Sequence, residues 1–290
     1  MSVFQHEYRP YEGPTTPLWK RPVVLARYGL AEAWGSKITI GLAVLALLPC
    51  LVELVLMYLA DNPLAKMLVV GNSKVLEINE RFFFNLLEVQ SWFALVLAAW
   101  IAPRLVSFDL GDNAMPILLS HPISRFGYVL GKFIALVLSL SYVTWIPLLL
   151  LFVYQCYASP VPWAVGHLGV AFGLFTGALV WIVVLSLVCL AVSSWVKWRV
   201  VATGAIFAVV FVPAGVGGMV SAILRTRWGF LLNVPVVMSE LWMRLLGVPP
   251  FGNPMFWFPN IAIVSVLVVT SLLCVAVLNA RIRAREVVRG

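Results

Sequence analysis

Apolar residues along this chain form six long runs that are separated by polar stretches. The runs cover roughly residues 38–60, 90–106, 128–153, 164–193, 200–224 and 258–280. A helix needs about 20 predominantly apolar residues to cross the hydrocarbon core of a bilayer. Backbone groups in hydrocarbon must bond within their own segment, so these runs are helices. The pattern predicts an all-α integral membrane protein with six transmembrane helices.

Residues 18–37, which precede the first run, mix apolar and charged positions. The apolar positions are Val23, Leu25, Ala26, Leu30 and Trp34, and the charged ones include Arg27, Glu32 and Lys37. Pro22 suits the first turn of a helix, where its missing N–H is tolerated. The segment is therefore predicted to be an N-terminal amphipathic interface helix, with an ordinary polar leader as the alternative.

Residues 225–257, between the fifth and sixth runs, are too apolar for an open loop and too often interrupted by proline for another span. We expect a short helix over Val236–Leu246, ended by Gly247 and the prolines that follow. The segment would then be a re-entrant outer element that dips into the outer leaflet or lies on it. Residues 61–89 are interpreted as a small outer element that packs against the helix ends.

The distribution of Lys and Arg orients the six helices. With both termini inside, the inner pieces hold 14 of the 20 basic residues. Basic residues gather on the cytoplasmic side of membrane proteins. We therefore expect a multi-pass protein of the cell inner (plasma) membrane with both termini cytoplasmic. Its parts would be a cytoplasmic tail with a connecting helix (1–37), a six-helix transmembrane domain (38–280) and a basic tail (281–290).

Composition agrees with a membrane protein. Hydrophobic residues make up 62% of the 290 positions and charged residues 11%, with a mean hydropathy of +0.99. Soluble domains carry about a quarter charged residues. No basic run with interleaved aromatic residues indicates a nucleic-acid surface, so we expect no nucleic-acid partner. The four cysteines form no CxxC pair and favour neither a disulfide framework nor a metal site.

The stretch SRFGYVLGKF raises the question of whether the chain is itself an ATPase. A Walker loop needs four residues between its first glycine and the Gly-Lys pair, which Ser or Thr must follow. Here three residues separate Gly127 from Gly131, and Phe133 stands at the hydroxyl position. Ser120 and His121 are no better as a nucleophile and base, because sequence neighbours point apart on a helix. We expect neither an enzyme activity nor a bound cofactor in this chain.

Several positions inside the apolar runs are candidates for function or packing. Glu53 is an acid in the first run, where it would line a substrate path or play a structural role. The fifth run contains Pro213 and Gly217, in a cluster that would kink the helix or border a cavity. These three residues are the candidate substrate path. The fourth run carries a stripe of small residues that predicts close helix packing. Its members are Gly169, Gly173 and Gly177.

The polar stretch between the second and third runs combines a polar turn, a short apolar patch, a proline break and a helix start. Ser124 is suited to cap the helix that continues into the third run. This stretch resembles the cytoplasmic loop of ABC-2-type transporter permeases, the membrane subunits of type-2 ABC exporters. The matching residues are Asp109, Gly111, Leu118, Leu119, Pro122, Ser124, Arg125, Tyr128, Gly131 and Lys132.

The resemblance implies a permease that pairs with a second permease subunit, as a homodimer or heterodimer, and that sits on a cytoplasmic ABC ATPase. ATP and Mg²⁺ would be bound by that partner. The implied ATPase-coupling residues are Asp109, Asp112, Leu118, Pro122, Ser124, Arg125, Tyr128 and Lys132. Those of the connecting helix are Arg27, Glu32 and Trp34.

Other functions fit part of the pattern. A secondary transporter usually shows charged or broken midplane helices in matching positions, and Glu53 has no counterpart in the second half of the chain. An ABC-like subunit that transmits force to an assembly process without carrying a substrate is a further alternative. An intramembrane enzyme would need clustered His, Asp or Glu, which the runs lack. The scarcity of polar groups favours lipid-linked, amphipathic or polymer cargo over small ions.

Overall fold

The computed structural model describes residues 17–62, 78–111, 124–159, 161–249 and 258–281. Regular structure within these ranges is entirely helical. The α-helices are α1 (Arg21–Trp34), α2 (Lys37–Asp61), α3 (Glu80–Gly111), α4 (Arg125–Ser141), α5 (Trp145–Ala158), α6 (Val161–Gly166), α7 (Leu168–Trp195), α8 (Arg199–Ile223), α9 (Val234–Leu246) and α10 (Asn260–Arg281). Short 3-10 helices precede α1 at Leu18–Lys20 and α9 at Trp228–Leu232.

Six helical stretches are long and apolar enough to cross a membrane, namely α2, α3, the α4–α5 pair, α7, α8 and α10. The expected all-α fold with six spans is therefore confirmed. A separate helix, α1, lies before the first span, where the sequence predicted an amphipathic helix. Its placement on a membrane surface stays a prediction.

The second span is longer than the sequence pattern predicted. Residues 80–89, which were assigned to a separate outer element, form the first turns of α3. The Asn79 side chain starts this helix by accepting hydrogen bonds from the backbone N–H groups of Arg81 and Phe82, at 3.1 and 3.2 Å. Charged side chains in these turns lower their mean hydropathy and hide the helix from a search for apolar runs, although Phe83 is fully buried.

The third apolar run, predicted as one helix, consists of two. Residues 142–144 interrupt it between α4 and α5. Pro147 is tolerated in the first turn of α5, but within one continuous helix it would remove the N–H that bonds the Val143 carbonyl. At the interruption, the Thr144 hydroxyl donates a hydrogen bond to the Leu140 carbonyl at 2.8 Å. The third run therefore forms two helices, not the single helix that the sequence predicted.

The centre of the bundle is formed by α3 and α7, whose apolar side chains are mostly buried. By contrast, α2, α8 and α10 lie at the periphery and leave apolar side chains exposed along their length. Such faces are stable only against lipid or another membrane protein, because water would solvate them poorly.

The segment between the fifth and sixth spans folds back onto the bundle. The helix predicted over Val236–Leu246 is present as α9, which begins slightly earlier. Asn233 caps it by accepting a hydrogen bond from the N–H of Val236 at 3.3 Å. Gly247 ends it with φ of 71°, a left-handed conformation that glycine adopts without steric cost. Before this segment, α8 runs unbroken through Pro213.

Candidate functional site

The ends of α3 and α4 are joined by a contact between Asp109, Tyr128 and Lys132, which we call the Asp109 cluster. Lys132 Nζ lies 2.9 Å from Asp109 Oδ2. The Tyr128 hydroxyl donates a hydrogen bond to the same oxygen at 2.7 Å. Tyr128 and Lys132 lie four residues apart and so share one face of α4. The cluster attaches the last turn of α3 to the first turns of α4.

The Asp109 cluster is buried although it contains two charges. Tyr128 is 1% exposed, and the side chains of Lys132 and Asp109 are 6% and 20% exposed. A hydrogen bond between charged groups is about twice as strong as a neutral one. Removing one partner of a buried pair leaves an uncompensated charge, which is strongly destabilising. The two helix ends are therefore held in one geometry as long as both charges are present.

The first turn of α4 has the cap that the sequence predicted. Ser124 Oγ accepts a hydrogen bond from the backbone N–H of Gly127 at 3.0 Å. The next two residues, Arg125 and Phe126, are exposed, the phenylalanine by 74%. A cation and an aromatic ring therefore stand at the surface on a well-defined helix start.

The helix α1 packs on α4 through glycine. A Cβ atom at Gly131 would lie 2.9 Å from both the Leu25 Cβ and the Pro22 carbonyl oxygen. A Cβ atom at Gly29 would lie 3.2 Å from the Cβ of Ala135. Small residues at such crossings let two helix backbones approach closely. Thus α1, α3 and α4 form one packed unit around the Asp109 cluster.

The C-terminal end of α1 is held by Trp34. Its Nε1 donates a hydrogen bond to Ser139 Oγ at 3.3 Å. Its ring packs edge-on against the Tyr142 ring, with 5.7 Å between the two ring centres. Arg27 and Glu32, the charged residues predicted for the connecting helix, lie on its exposed side. One side of α1 therefore packs on α4, and the other is open to a partner or a membrane surface.

The structure describes five of the predicted coupling residues and brings three of them together in the Asp109 cluster. The other two are Ser124 and Arg125, at the start of α4. Asp112, Leu118 and Pro122 lie outside the described residues. The sequence indicated Asp109, Tyr128 and Lys132 individually but not their mutual contact. The signal in the sequence was that Tyr128 and Lys132 lie four residues apart on one face of an apolar helix. A lysine buried on such a face requires a carboxylate from a neighbouring helix.

A second candidate region lies where the outer segment meets α7, α8 and α10. An apolar cavity of about 470 Å³ has Trp181, Pro213 and Trp228 in its wall. A neighbouring cavity of about 320 Å³ shares Trp181 and adds the carboxylates of Glu88 and Glu240. Small-molecule sites typically occupy about 300–1,000 Å³. The paired cavities, which the sequence did not reveal, have the size and mixed polarity of a site for an amphipathic molecule.

Glu240 links α9 to the start of the last span. Its Oε2 accepts hydrogen bonds from the backbone N–H of Phe258 at 3.3 Å and from Arg244 Nη2 at 3.4 Å. Arg244 also donates to the Asn260 side chain and to the Phe258 carbonyl. Burial raises the pKa of Glu240, and these donors offset part of that effect. The network ties the outer segment to α10.

The three residues of the candidate substrate path are not brought together. Pro213 lines the apolar cavity. Glu53 lies on α2 and lines neither cavity, and its Oε2 has no hydrogen-bond partner among the described residues. Gly217 packs against the 3-10 helix, where an added Cβ would lie 2.3 Å from the Gly229 carbonyl oxygen. Of the three positions, Pro213 alone faces one of the two cavities.

The glycine stripe on α7 contacts α9 at two of its three positions. A Cβ at Gly173 would lie 2.6 Å from the Leu245 carbonyl oxygen, and one at Gly177 would lie 2.7 Å from the Trp242 ring. Trp242 Nε1 also donates a hydrogen bond to the Gly177 carbonyl at 3.0 Å. Gly169 has no neighbouring atom within 4 Å of such a Cβ. Close approach of α9 to the first half of α7 therefore depends on Gly173 and Gly177.

Among the described residues, no three His, Cys, Asp or Glu side chains converge on a position that could hold a metal ion. A family model described as "ABC-2 family transporter protein" matches residues 25–242. The match spans most of α1, the whole Asp109 cluster and most of α9. A comparison with curated proteins finds no match.

Proposed function

This chain belongs to the ABC-2 family of transporter proteins, and we propose that it is the permease subunit of an ATP-binding cassette exporter driven by a separate cytoplasmic ATPase. The family and the six apolar helices make it a multi-pass membrane transport component. ATP and Mg²⁺ bind the partner chain. Because basic residues gather on the cytoplasmic side of membrane proteins, we assign both basic ends of the sequence to the cytoplasm and the protein to the cell inner (plasma) membrane.

The Asp109 cluster carries the proposal. It joins α3 and α4 on either side of residues 112–123, so a force applied to residues 112–123 would move the two helices together. Because α1 packs on α4 through Gly131, the push also reaches α1. Packed elements of this kind transmit a small local displacement into a larger rigid-body movement.

Arg125 and Phe126 are the contact points that we assign to the ATPase. Both are exposed at the start of α4, directly above the buried cluster. Arginine and aromatic side chains are frequent anchors at protein interfaces. A force applied at Arg125 therefore enters the helix whose next turns hold Tyr128 and Lys132.

A second permease subunit, as a homodimer or heterodimer, completes the proposed transporter. The exposed apolar faces of α2, α8 and α10 offer the surface for it within the bilayer. Cargo of amphipathic or lipid-linked type suits the paired cavities at Trp181, because one is apolar and the other contains Glu88 and Glu240. The close packing of Trp242 on the first half of α7 supports a re-entrant placement of the outer segment.

Coupled ATP hydrolysis tests the proposal. The permease is co-expressed with its candidate ATPase, and the purified complex is reconstituted in nanodiscs. We expect a stable complex in which Arg125→Gln lowers the permease-stimulated ATPase rate by about tenfold, as loss of an interface anchor does. The matched control is Arg225→Gln, which removes an exposed arginine that follows the C-terminal end of α8 and should leave the rate unchanged.

The outcomes separate the competing functions. Failure to form a complex, or equal rates for Arg125→Gln and the wild type, would overturn the ATPase coupling. Stimulated hydrolysis without movement of labelled cargo in proteoliposomes would favour a subunit that transmits force to an assembly process. Cargo movement that needs an ion gradient and no ATPase would identify a secondary transporter.

A further inference from the structure

Two arginines lie close together at the end of the bundle that carries the Asp109 cluster. Arg104 belongs to α3, and Arg199 is the first residue of α8. The Arg199 guanidinium lies over the ring of Trp100, which is one turn before Arg104 on α3, so the two positive charges are neighbours and repel each other. Among the described residues, no carboxylate oxygen lies within 4.0 Å of either guanidinium group. Within the described ranges, positive charge is therefore concentrated here without an acidic side chain to balance it.

The same region contains buried hydrogen-bond donors without acceptors. Arg104 Nε, Arg199 Nη2 and Trp100 Nε1 have no hydrogen-bond partner in the described part of the chain. The guanidinium of Arg199 is held in place, 3.9 Å from the centre of the Trp100 ring. One turn along α8, Thr203 donates a hydrogen bond to the Ala99 carbonyl at 3.0 Å. Unsatisfied buried donors are costly, and a bound anion supplies acceptors and offsets the charge repulsion.

The N-terminus of α8 adds to this anion-binding character. Trp198, at the cap position, provides no side-chain acceptor for the first backbone N–H groups of the helix. These groups carry the positive end of the helix dipole. Phosphate groups bind at such helix ends. Arg199 stands at the same end, so side chain and backbone favour the same ligand.

The neighbouring surface indicates that the anion belongs to a lipid. Trp198, Val200 and Val201 are 77%, 84% and 53% exposed, so an apolar surface adjoins the two arginines at the start of a membrane span. A phospholipid presents a phosphate and acyl chains together, whereas an acidic protein segment would leave this apolar surface uncovered. Basic pockets between transmembrane helices bind anionic headgroups in this way.

We propose that Arg104, Arg199 and the N-terminus of α8 form a binding site for the phosphate of an anionic phospholipid. The bound lipid bridges α3 and α8 and shields their two positive charges from each other. This site is separate from the Asp109 cluster and from the cavities at Trp181. It does not depend on the proposed ATPase partner.

Native mass spectrometry of the delipidated permease tests the site. Phosphatidylglycerol and phosphatidylcholine with identical acyl chains are titrated separately, and the dissociation constant of the first bound lipid is measured. We expect phosphatidylglycerol to bind about tenfold more tightly, and Arg104→Gln or Arg199→Gln to weaken it about fivefold without affecting phosphatidylcholine. The control Lys37→Gln removes an exposed cation at the same end of the bundle and should change binding less than about twofold.

Each alternative has its own result. Equal binding of the two lipids by the wild type, or an equal loss in Lys37→Gln, overturns the proposal. Inorganic phosphate that raises Tm as much as phosphatidylglycerol at the same phosphate concentration would indicate a site for free anions instead. Unchanged lipid binding in the arginine variants, combined with loss of the ATPase complex, would indicate a protein contact. If a glutamine variant does not fold, the ratio of the dissociation constants for the two lipids still tests the proposal. It is then measured for the wild type and for Arg199→Lys, which keeps the charge.

Discussion

Gln90 of α3 donates its side-chain amide to the backbone carbonyl of Val143, at the interruption between α4 and α5. The same amide donates to the Ala46 carbonyl of α2 at 2.8 Å. Pro147 has no N–H, so it cannot bond the Val143 carbonyl as the fourth residue along a helix normally does. Gln90 replaces the missing donor from another helix. The buried Gln90 side chain thus satisfies the Val143 carbonyl at the interruption and joins three spans.

Replacing Gln90 by leucine should destabilise the protein by about 1–2 kcal/mol, because two buried carbonyls lose a donor and membrane hydrogen bonds are individually modest. The measurement is the free energy of unfolding in an SDS titration. Thr176→Val is the matched control, since the Thr176 hydroxyl bonds the carbonyl of Phe172 within its own helix. A loss no greater for Gln90→Leu than for Thr176→Val would contradict this account.

Lys132→Met should lower the free energy of unfolding by about 3 kcal/mol, because it leaves the Asp109 carboxylate buried without its cation. The double variant Lys132→Met/Asp109→Asn should lose less than the sum of the two single changes. A double-mutant cycle measures this coupling. Lys37→Met removes an exposed cation at the same end of the bundle and should have little effect. Additive single changes would show that the salt bridge does not stabilise the fold.

Gly217 and Gly218 are sequence neighbours with different surroundings. Gly217→Ala forces a Cβ to 2.3 Å from the Gly229 carbonyl oxygen, whereas Gly218→Ala meets no atom within 4 Å. Overpacking against backbone should cost about 1–3 kcal/mol. The change at Gly218 should be neutral or stabilising by up to about 1 kcal/mol, because alanine is the better helix former. Tm values in detergent compare the two, and equal shifts would rule out the close contact between α8 and the 3-10 helix.

Glu240→Gln should change how stability depends on pH. Burial raises the pKa of Glu240 in the folded state, so the folded protein holds this proton more tightly than the unfolded chain. The contribution of Glu240 to stability is therefore largest below its unfolded pKa and falls as pH rises through the folded pKa. The Tm of the wild type minus that of Glu240→Gln should decrease as pH rises above about 4. A difference that increases with pH would show that Arg244 and the Phe258 N–H dominate instead.

Local signals in the sequence predicted two helix boundaries correctly. Ser124 caps α4, and Gly247 ends α9, because a cap depends on residues only a few positions away. The contact of Lys132 with Asp109 depends on the relative placement of two helices, which residue spacing does not specify. The Arg104–Arg199 pair was hidden for the same reason, since its members belong to different spans.

The number of spans and the all-helical fold followed from the sequence by itself, because hydrocarbon leaves a long apolar segment no other way to satisfy its backbone. Only the tertiary structure decided where α4 gives way to α5 and which side chains hold the spans together. An interrupted helix is stable in a membrane only if neighbouring helices, Ser or Thr side chains or water satisfy the freed backbone groups. Gln90 supplies them at Val143, and its position there results from the packing of α3 against α2 and α4.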